Sequence, residues 1–484
     1  MDGNVRRTCT GSVSGSLRIA WAAVAYDRAV PPDFGRMAED ALRILDLLCR
    51  QPSVSAEGRA LDETAELVEE LLAGAGFETR QLRSNGSAPA VYGDQPGRAD
   101  FTILLYNHYD VQPVDPIELW ESPPFEPTRR DGNLFARGAA DNKGELAVRL
   151  AVIRALRGAD GELPVRVRWI VEGEEEIGST NFDEIVRRNV ERLRADAALW
   201  EGGSARLPDG RPEIGLGFKG ALGVRLDVKT LATDAHSSLE PVAPSAAWRL
   251  VQALASIRDQ NGRVKIRGFY DRVLPATEEE RRAIAAASFS EEDELREMLG
   301  LEEFIDGLSG PALWERASFQ PTSNLAGISS GYSGPGIKTV LTALASAWMD
   351  FRLVPEQRPE EILELLRAHL DREGFADIRV TPIVTARPAK TPLDHPFVRR
   401  VVEVAEAVSG ERASITPLAP PTLPIIASLH EHLALPGLAA PDNPTYAGSR
   451  VHAPNEHIRL DDVEPALRFT HSLLWALGGG SVSA

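Results

Sequence analysis

The sequence predicts an α/β fold, a mostly parallel sheet covered by helices, with a smaller α+β unit inserted into it. Three observations carry this expectation. Short apolar runs alternate with amphipathic helical patterns over residues 36–217. Between 218 and 390 the strand-like runs alternate apolar and polar residues, as in an antiparallel sheet with one wet face. From 391 to 484 a helical pattern resumes, as expected if the first unit is completed after an insertion.

The elements follow in order. Residues 1–35 read as a disordered N-terminal extension. Arg6-Arg7 before the apolar stretch 17–25, with Ala23-Val24-Ala25, has the outline of a signal peptide. The stretch is short and broken by Arg18, so a cytoplasmic protein is expected. Ala41, Leu42, Leu45 and Leu48 recur at helical spacing over 37–49. A second helix over 64–73 is stopped by Gly74 and Gly76. A buried strand at 101–106, a helix at 145–156 and a strand at 165–171 come next. In the insertion, strands are expected at 222–228, 346–353 and 378–383, with helices at 246–257 and 359–371. Residues 277–308 read as a polar, helical, exposed excursion. The helix 396–408 returns the chain to the larger unit, which runs to about Leu477.

Composition excludes several functions. The 484 residues carry 53 basic and 71 acidic side chains, a net charge of -18, so no nucleic-acid partner is expected. No apolar run approaches the roughly 18 residues a membrane span needs. The two cysteines, Cys9 and Cys49, allow neither a disulfide framework nor a thiolate zinc cluster. Any metal must be held by His, Asp and Glu. Cys49 ends a half-buried helix and is expected to be inert.

The candidate residues stand at the ends of expected strands, where open α/β sheets form their sites. His108-Tyr109-Asp110 follows the strand 101–106. Two residues apart in extended chain, His108 and Asp110 point the same way. Asp110 can then accept from one ring nitrogen and leave the other for a metal. Asp141 lies in Arg137-Gly138-Ala139-Ala140-Asp141-Asn142-Lys143-Gly144, a small-residue loop where a carboxylate could bridge two cations. Glu172-Gly173-Glu174-Glu175-Glu176-Ile177-Gly178-Ser179 follows the strand 165–171. Its neighbouring carboxylates repel unless cations or raised pKa values intervene. Glu201 follows an apolar run, and His452 lies in Val451-His452-Ala453-Pro454-Asn455-Glu456. Alone, each has an ordinary explanation: a solvated histidine, an acidic helix start or an N-cap. Together they supply a ligand set suited to zinc or manganese, with one glutamate to spare.

In order and separation these strings resemble the M20 family of metallopeptidases, and within it the dipeptidase branch of carnosinase-like and cytosolic nonspecific dipeptidases. The resemblance runs from about Pro52 to the C-terminus. It implies a di-metal aminopeptidase-like catalytic domain with an inserted lid and dimerisation domain. It implies two divalent ions, zinc with manganese or cobalt as alternatives. One would be held by His108, Asp141 and Glu201, the other by Asp141, Glu176 and His452. Asp141 would bridge them, followed by a cis peptide bond. Asp110 would orient His108, and Glu175 would be the general base for a water shared by the ions. His236, in Thr233-Asp234-Ala235-His236-Ser237-Ser238, resembles a lid histidine that enters the active site of the other subunit, so a homodimer is implied. Arg352, in Asp350-Phe351-Arg352-Leu353, resembles the arginine that pairs with a substrate carboxylate, a contact suited to a bidentate guanidinium. Thr339 and Thr422 match further substrate contacts. The implied reaction is hydrolysis of the amide bond of a dipeptide or small peptide with a free C-terminal carboxylate.

One departure concerns the substrate. Where the relatives carry Gly-Gly-Ser or Gly-Gly-Thr before Ile/Leu-Pro, this chain has Ala419-Pro420-Pro421-Thr422-Leu423-Pro424. Prolines remove backbone donors and stiffen the loop. An N-acyl-amino-acid amidohydrolase using the same site is therefore the alternative. A non-catalytic metal-binding protein would have no use for Glu175. Leu429-His430-Glu431-His432 does not suggest a second metal site, because residues two apart on a helix face apart. His395 reads as a helix start, and His457 and His471 as packing or surface residues. No Gly-x-Ser-x-Gly elbow supports serine catalysis.

Overall fold

Strand Gly97–His108 turns fully buried towards its C-terminal end, and the larger sheet is built around it. The structure, a computed structural model, describes residues 32–480 except Asn85 and 288–290. The expected signal-like stretch and Cys9 lie outside the described residues.

The larger sheet has eight strands: β1 (Glu78–Leu82), β2 (Ala90–Gln95), β3 (Gly97–His108), β4 (Leu163–Glu172), β5 (Ala197–Trp200), β6 (Glu213–Gly215), β11 (Ser414–Thr416) and β12 (Gly437–Ala439). The four strands β7 (Gly220–Lys229), β8 (Thr322–Ser330), β9 (Leu344–Leu353) and β10 (Arg379–Ala386) form a second sheet. The larger sheet runs β1-β2-β4-β3-β5-β12-β6-β11. Its centre is parallel: β3 pairs with β4 and β5, and β5 with β12. An antiparallel edge, β1 with β2 and β2 with β4, was not expected from the sequence. Glu78-Thr79-Arg80-Gln81 is polar and lies at the sheet edge, where only Leu82 is buried.

Helices Phe34–Cys49, Lys143–Asp160 and Val463–Leu477 share one apolar core against this sheet. The first begins at Phe34, inside the segment expected to be extension. Asp33 caps it, its carboxylate accepting from the Arg36 N–H at 3.0 Å. Buried Lys143 holds its other end, donating to the carbonyls of Leu48 (3.0 Å) and Gln51 (2.9 Å). Cys49 is buried there, and burial pushes its thiol up to about 12, as an inert cysteine requires.

The second sheet runs β8-β9-β7-β10, all antiparallel. Its covered face carries Leu222, Val224, Leu226 and Val228, beneath helices Ala246–Ile257 and Pro359–Arg372. The opposite face carries Arg225, whose guanidinium lies 5.3 Å from the Trp348 ring centre. The excursion is helical as expected, with helices Glu278–Ala286 and Glu291–Leu299, but it is not wholly exposed: Glu280 and Ile284 are buried. Ile284 packs with Ala276, Phe319, Val354 and Leu418, whereas Met298, Leu299, Leu301 and Ile305 of the same segment are exposed. Among the described residues no helix is long and apolar enough to cross a membrane.

Arg149 ties the larger unit together beneath the strand ends. It is buried, and its donors reach Asp442 (2.8 and 3.1 Å), Glu145 (3.0 Å), Asn107 Oδ1 (3.0 Å) and the carbonyls of Tyr106 (2.7 Å) and Trp200 (3.1 Å). Removing one partner of a buried ion pair leaves the other charge uncompensated. Arg149→Met should lower the unfolding free energy by about 3–5 kcal/mol in denaturant titration. A loss below about 1 kcal/mol, the scale of an exposed pair, would show that this network is dispensable.

Candidate metal centre

The ends of β3, β4 and β5 deliver the acids and one histidine to a common place. His108 is the last residue of β3, Glu175 and Glu176 lie in the turn after β4, and Glu201 follows β5. Asp141 comes from the loop before helix Lys143–Asp160, and the Asp141–Asn142 peptide bond is cis. Gly138 has φ +84, and a Cβ there would lie 2.5 Å from Val111 Cγ1, so this loop needs glycine. His452 arrives from far along the chain, with φ +61.

The four partners converge on Asp141 directly or through a shared nitrogen. His108 Nε2 lies 3.0 Å from Asp141 Oδ1 and 3.0 Å from Glu201 Oε2. His452 Nε2 lies 3.1 Å from Asp141 Oδ2 and 3.0 Å from Glu176 Oε2. Two groups that could hold a metal ion result, His108/Asp141/Glu201 and Asp141/Glu176/His452, and they share Asp141. Glu175 also comes close to His108 and Glu176. His108 is fully buried, whereas the His452 side chain is 51% exposed, so the cluster opens on the His452 side.

The donor set fits cations better than protons. His108 Nδ1 lies 3.1 Å from the Asp110 carbonyl, which can only accept, so Nδ1 carries a hydrogen. Nε2 then faces two carboxylate oxygens with at most one hydrogen to offer. Glu201 Oε2 is buried and has no aligned donor. One divalent ion between the imidazole and both carboxylates would satisfy all three, and the same holds at His452.

Electrostatics describes the same crowding. Burial, then repulsion from Glu201, pushes the Glu175 carboxyl up to about 9. Hydrogen bonds to Asp141 and Glu176 push His452 up to about 10. Burial disfavours a charged His108, but Glu201, Asp110 and Asp141 outweigh it and hold its pKa well above the usual value. Burial also opposes charge on Asp141, yet His108 and His452 keep its carboxyl below the usual range.

The surrounding residues position this set. The Asp110 carboxylate accepts from the backbone N–H groups of Glu175 (3.2 Å) and Glu176 (3.1 Å). Its carboxylate stands 3.4 Å from His108 Nδ1, farther than its own carbonyl. Asp110 thus meets the ring through its main chain as well as through the expected carboxylate, and its side chain also fixes the glutamate turn. Gln112, given no role from sequence, donates to Glu176 Oε2 and to the Glu176 carbonyl, both at 2.9 Å. Its only signal was its place in the string 108–113. Asn142 accepts from Asn107 (2.5 Å) and donates to Glu145 (2.6 Å), joining the Asp141 loop to the Arg149 network.

The other candidates form two pairs. His236 is exposed; its Nδ1 lies 2.8 Å from Ser238 Oγ and its Nε2 3.5 Å from Thr339 Oγ1. These contacts stay within the insertion and do not reach the acid cluster. Arg352 donates to Thr422 Oγ1 at 2.8 Å, joining the second sheet to the late proline loop. That loop is fixed from below: the Lys219 N–H reaches the carbonyls of Ala419 (3.2 Å) and Pro421 (3.1 Å). Three further histidines have other work. His395 caps a helix, His432 pairs with Asp183 at 2.8 Å, and His457 stacks on Phe135.

The chain is similar to known peptidases. Residues 104–476 match Peptidase family M20/M25/M40. The chain is 30% identical over 295 residues to the Beta-Ala-His dipeptidase of Homo sapiens, spanning 58% of this chain and 55% of that protein. It is 29% identical over 289 residues to the Cys-Gly metallodipeptidase dug1 of Schizosaccharomyces pombe, spanning 58% and 59%. The alignments therefore span little more than half the length of these relatives. The structure of an M20 family metallo-carboxypeptidase, Sso-CP2 from Sulfolobus solfataricus, superposes with a TM-score of 0.83 at 36% identity, covering 91% of this chain and 99% of the other. With more than half of its length matched, the chain belongs to peptidase family M20/M25/M40.

Proposed function

We propose that the protein is a di-metal hydrolase that cleaves the amide bond of dipeptides or small peptides bearing a free C-terminal carboxylate. The observation that carries this reading is the convergence of His108, Glu201, Glu176 and His452 on the two oxygens of Asp141. Zinc suits this nitrogen and oxygen set, with manganese or cobalt as alternatives. Two such ions, when bound, supply an acidified water and a polarised scissile carbonyl.

The protein side chains do the rest. Glu175 belongs to the cluster but to neither ligand group centred on Asp141. It takes the proton from the attacking water and returns it to the leaving amine. Asp110 fixes the main chain of Glu175 and Glu176. Arg352, held by Thr422, pairs with the substrate carboxylate through its fork of donors. His236, beside Thr339, donates to the developing oxyanion in the site of the other subunit of a homodimer.

A second reading, an N-acyl-amino-acid amidohydrolase, is favoured by the proline loop. Pro420 and Pro421 have no N–H, and the Ala419 N–H is committed to the Gly217 carbonyl at 2.8 Å. A peptide main chain therefore finds no free donor there before Thr422. Both readings use the same metals, base and carboxylate contact.

Glu175→Gln should abolish turnover while the purified protein still contains two metal ions per chain. Loss of one ion would exchange the roles of Glu175 and Glu176. Dipeptides and N-acyl amino acids assayed side by side should show turnover of dipeptides, and Arg352→Met should raise KM for them with little change in metal content. Turnover of acyl substrates alone would replace the first reading by the second, and an unchanged KM would remove Arg352 from substrate binding. Mixing inactive His236→Ala and Glu175→Gln proteins after subunit exchange should restore activity, because each mixed dimer holds one complete site. No recovery despite proven exchange would contradict the shared site.

A further inference from the structure

The loops that carry Asp141 and His452 are separated by hundreds of residues, and one buried side chain joins them. Glu456 Oε1 accepts from the N–H groups of Ala140 (2.9 Å) and Asp141 (3.1 Å). Its Oε2 accepts from the Gly138 N–H (2.9 Å) and from Arg137 Nη1 (2.6 Å). The Glu456 carbonyl takes a fifth bond, from the Ala136 N–H at 3.1 Å. Arg137 extends the connection, its Nη2 donating to the Pro113 carbonyl at 3.0 Å, in the segment that begins at His108.

Glu456 is itself firmly seated. The neighbouring Asn455 donates to the Leu119 carbonyl (2.9 Å) and accepts from the Glu121 N–H (2.9 Å). On the other side, His457 has Nδ1 2.9 Å from the Asn455 carbonyl and Nε2 2.8 Å from the Tyr446 hydroxyl. A rigid post therefore stands next to the His452 turn and grips the main chain of the Asp141 loop.

We propose that Glu456 is a positioning residue of the metal centre: its two oxygens clamp the 137–141 loop and fix Asp141 relative to His452. This inference rests on reading the cluster as a two-ion site. Only an ionised carboxylate offers acceptors on both oxygens. A glutamine here would turn its NH2 towards two N–H donors whichever way the amide flips, losing two hydrogen bonds and adding a repulsion. The isosteric change is therefore not conservative at this position. Glu456 touches neither ion nor substrate, and its effect passes entirely through Asp141.

The test is zinc affinity, measured by chelator competition on the full chain at a temperature where circular dichroism shows each variant folded. Glu456→Gln should weaken zinc binding by about 10- to 100-fold, the usual effect of disturbing groups that orient metal ligands. Arg137→Lys, which keeps a buried charge but cannot reach both Glu456 and Pro113, should weaken it less, and it decides the matter if Glu456→Gln does not fold. Thr391→Val removes a buried hydroxyl that binds Gly437, away from the cluster. It should lower thermal stability and leave zinc affinity unchanged. Wild-type affinity in Glu456→Gln, or in Arg137→Lys where that variant decides, would overturn the proposal. So would a loss in Thr391→Val equal to that in Glu456→Gln, since affinity would then follow global stability. A wild-type chain that takes up no zinc would instead overturn the metal-centre reading itself.

Discussion

The two oxygens of Asp141 face two imidazole nitrogens, at 3.0 Å from His108 and 3.1 Å from His452, and each nitrogen faces a further glutamate oxygen. This is a charge problem before it is a site. Asp141, Glu175, Glu176 and Glu201 crowd together, and burial disfavours the ionised forms of Glu175 and Glu201. Protons on the two histidines answer it in part, and Glu201 Oε2 is still left without a donor. Divalent cations answer it in full, which is why the arrangement makes physical sense as a metal centre.

The rest of the larger unit can be understood as what holds this crowd still. Parallel strands β3, β4 and β5 end side by side, so their following residues arrive together. Arg149 locks those ends from below, and Asn142 carries the connection up to the Asp141 loop. Asp110 fixes the glutamate turn, and Gln112 fixes Glu176. The second sheet brings in a different kind of residue, a guanidinium that reaches across to Thr422. The acid cluster and this guanidinium are thus carried by different sheets.

Much of this was legible in the sequence, for reasons that can be named. Helix Ala246–Ile257 matched its expected bounds because its apolar spacing is regular and Ser245 caps it. The acids and histidines stood out because several followed apolar runs, where a sheet must end. What escaped notice depends on distant partners. The excursion was expected to be exposed throughout because its polar composition hid the one apolar side chain, Ile284, that packs with Leu418. The β1–β2 edge was missed because its alternation is weak where only one residue is buried. Asp110 was expected to meet His108 through its carboxylate, yet the carbonyl stands nearer, a choice that spacing alone does not settle. Glu456 ended a string singled out for its histidine. Its grip on residues more than three hundred positions earlier became visible only in three dimensions.

The most direct measurement is an X-ray structure of the protein soaked with zinc, with data collected on both sides of the zinc absorption edge. The account predicts two anomalous peaks, one on each side of the Asp141 carboxylate, one flanked by His108 and Glu201 and the other by Glu176 and His452. A single peak, or peaks away from Asp141, would contradict it.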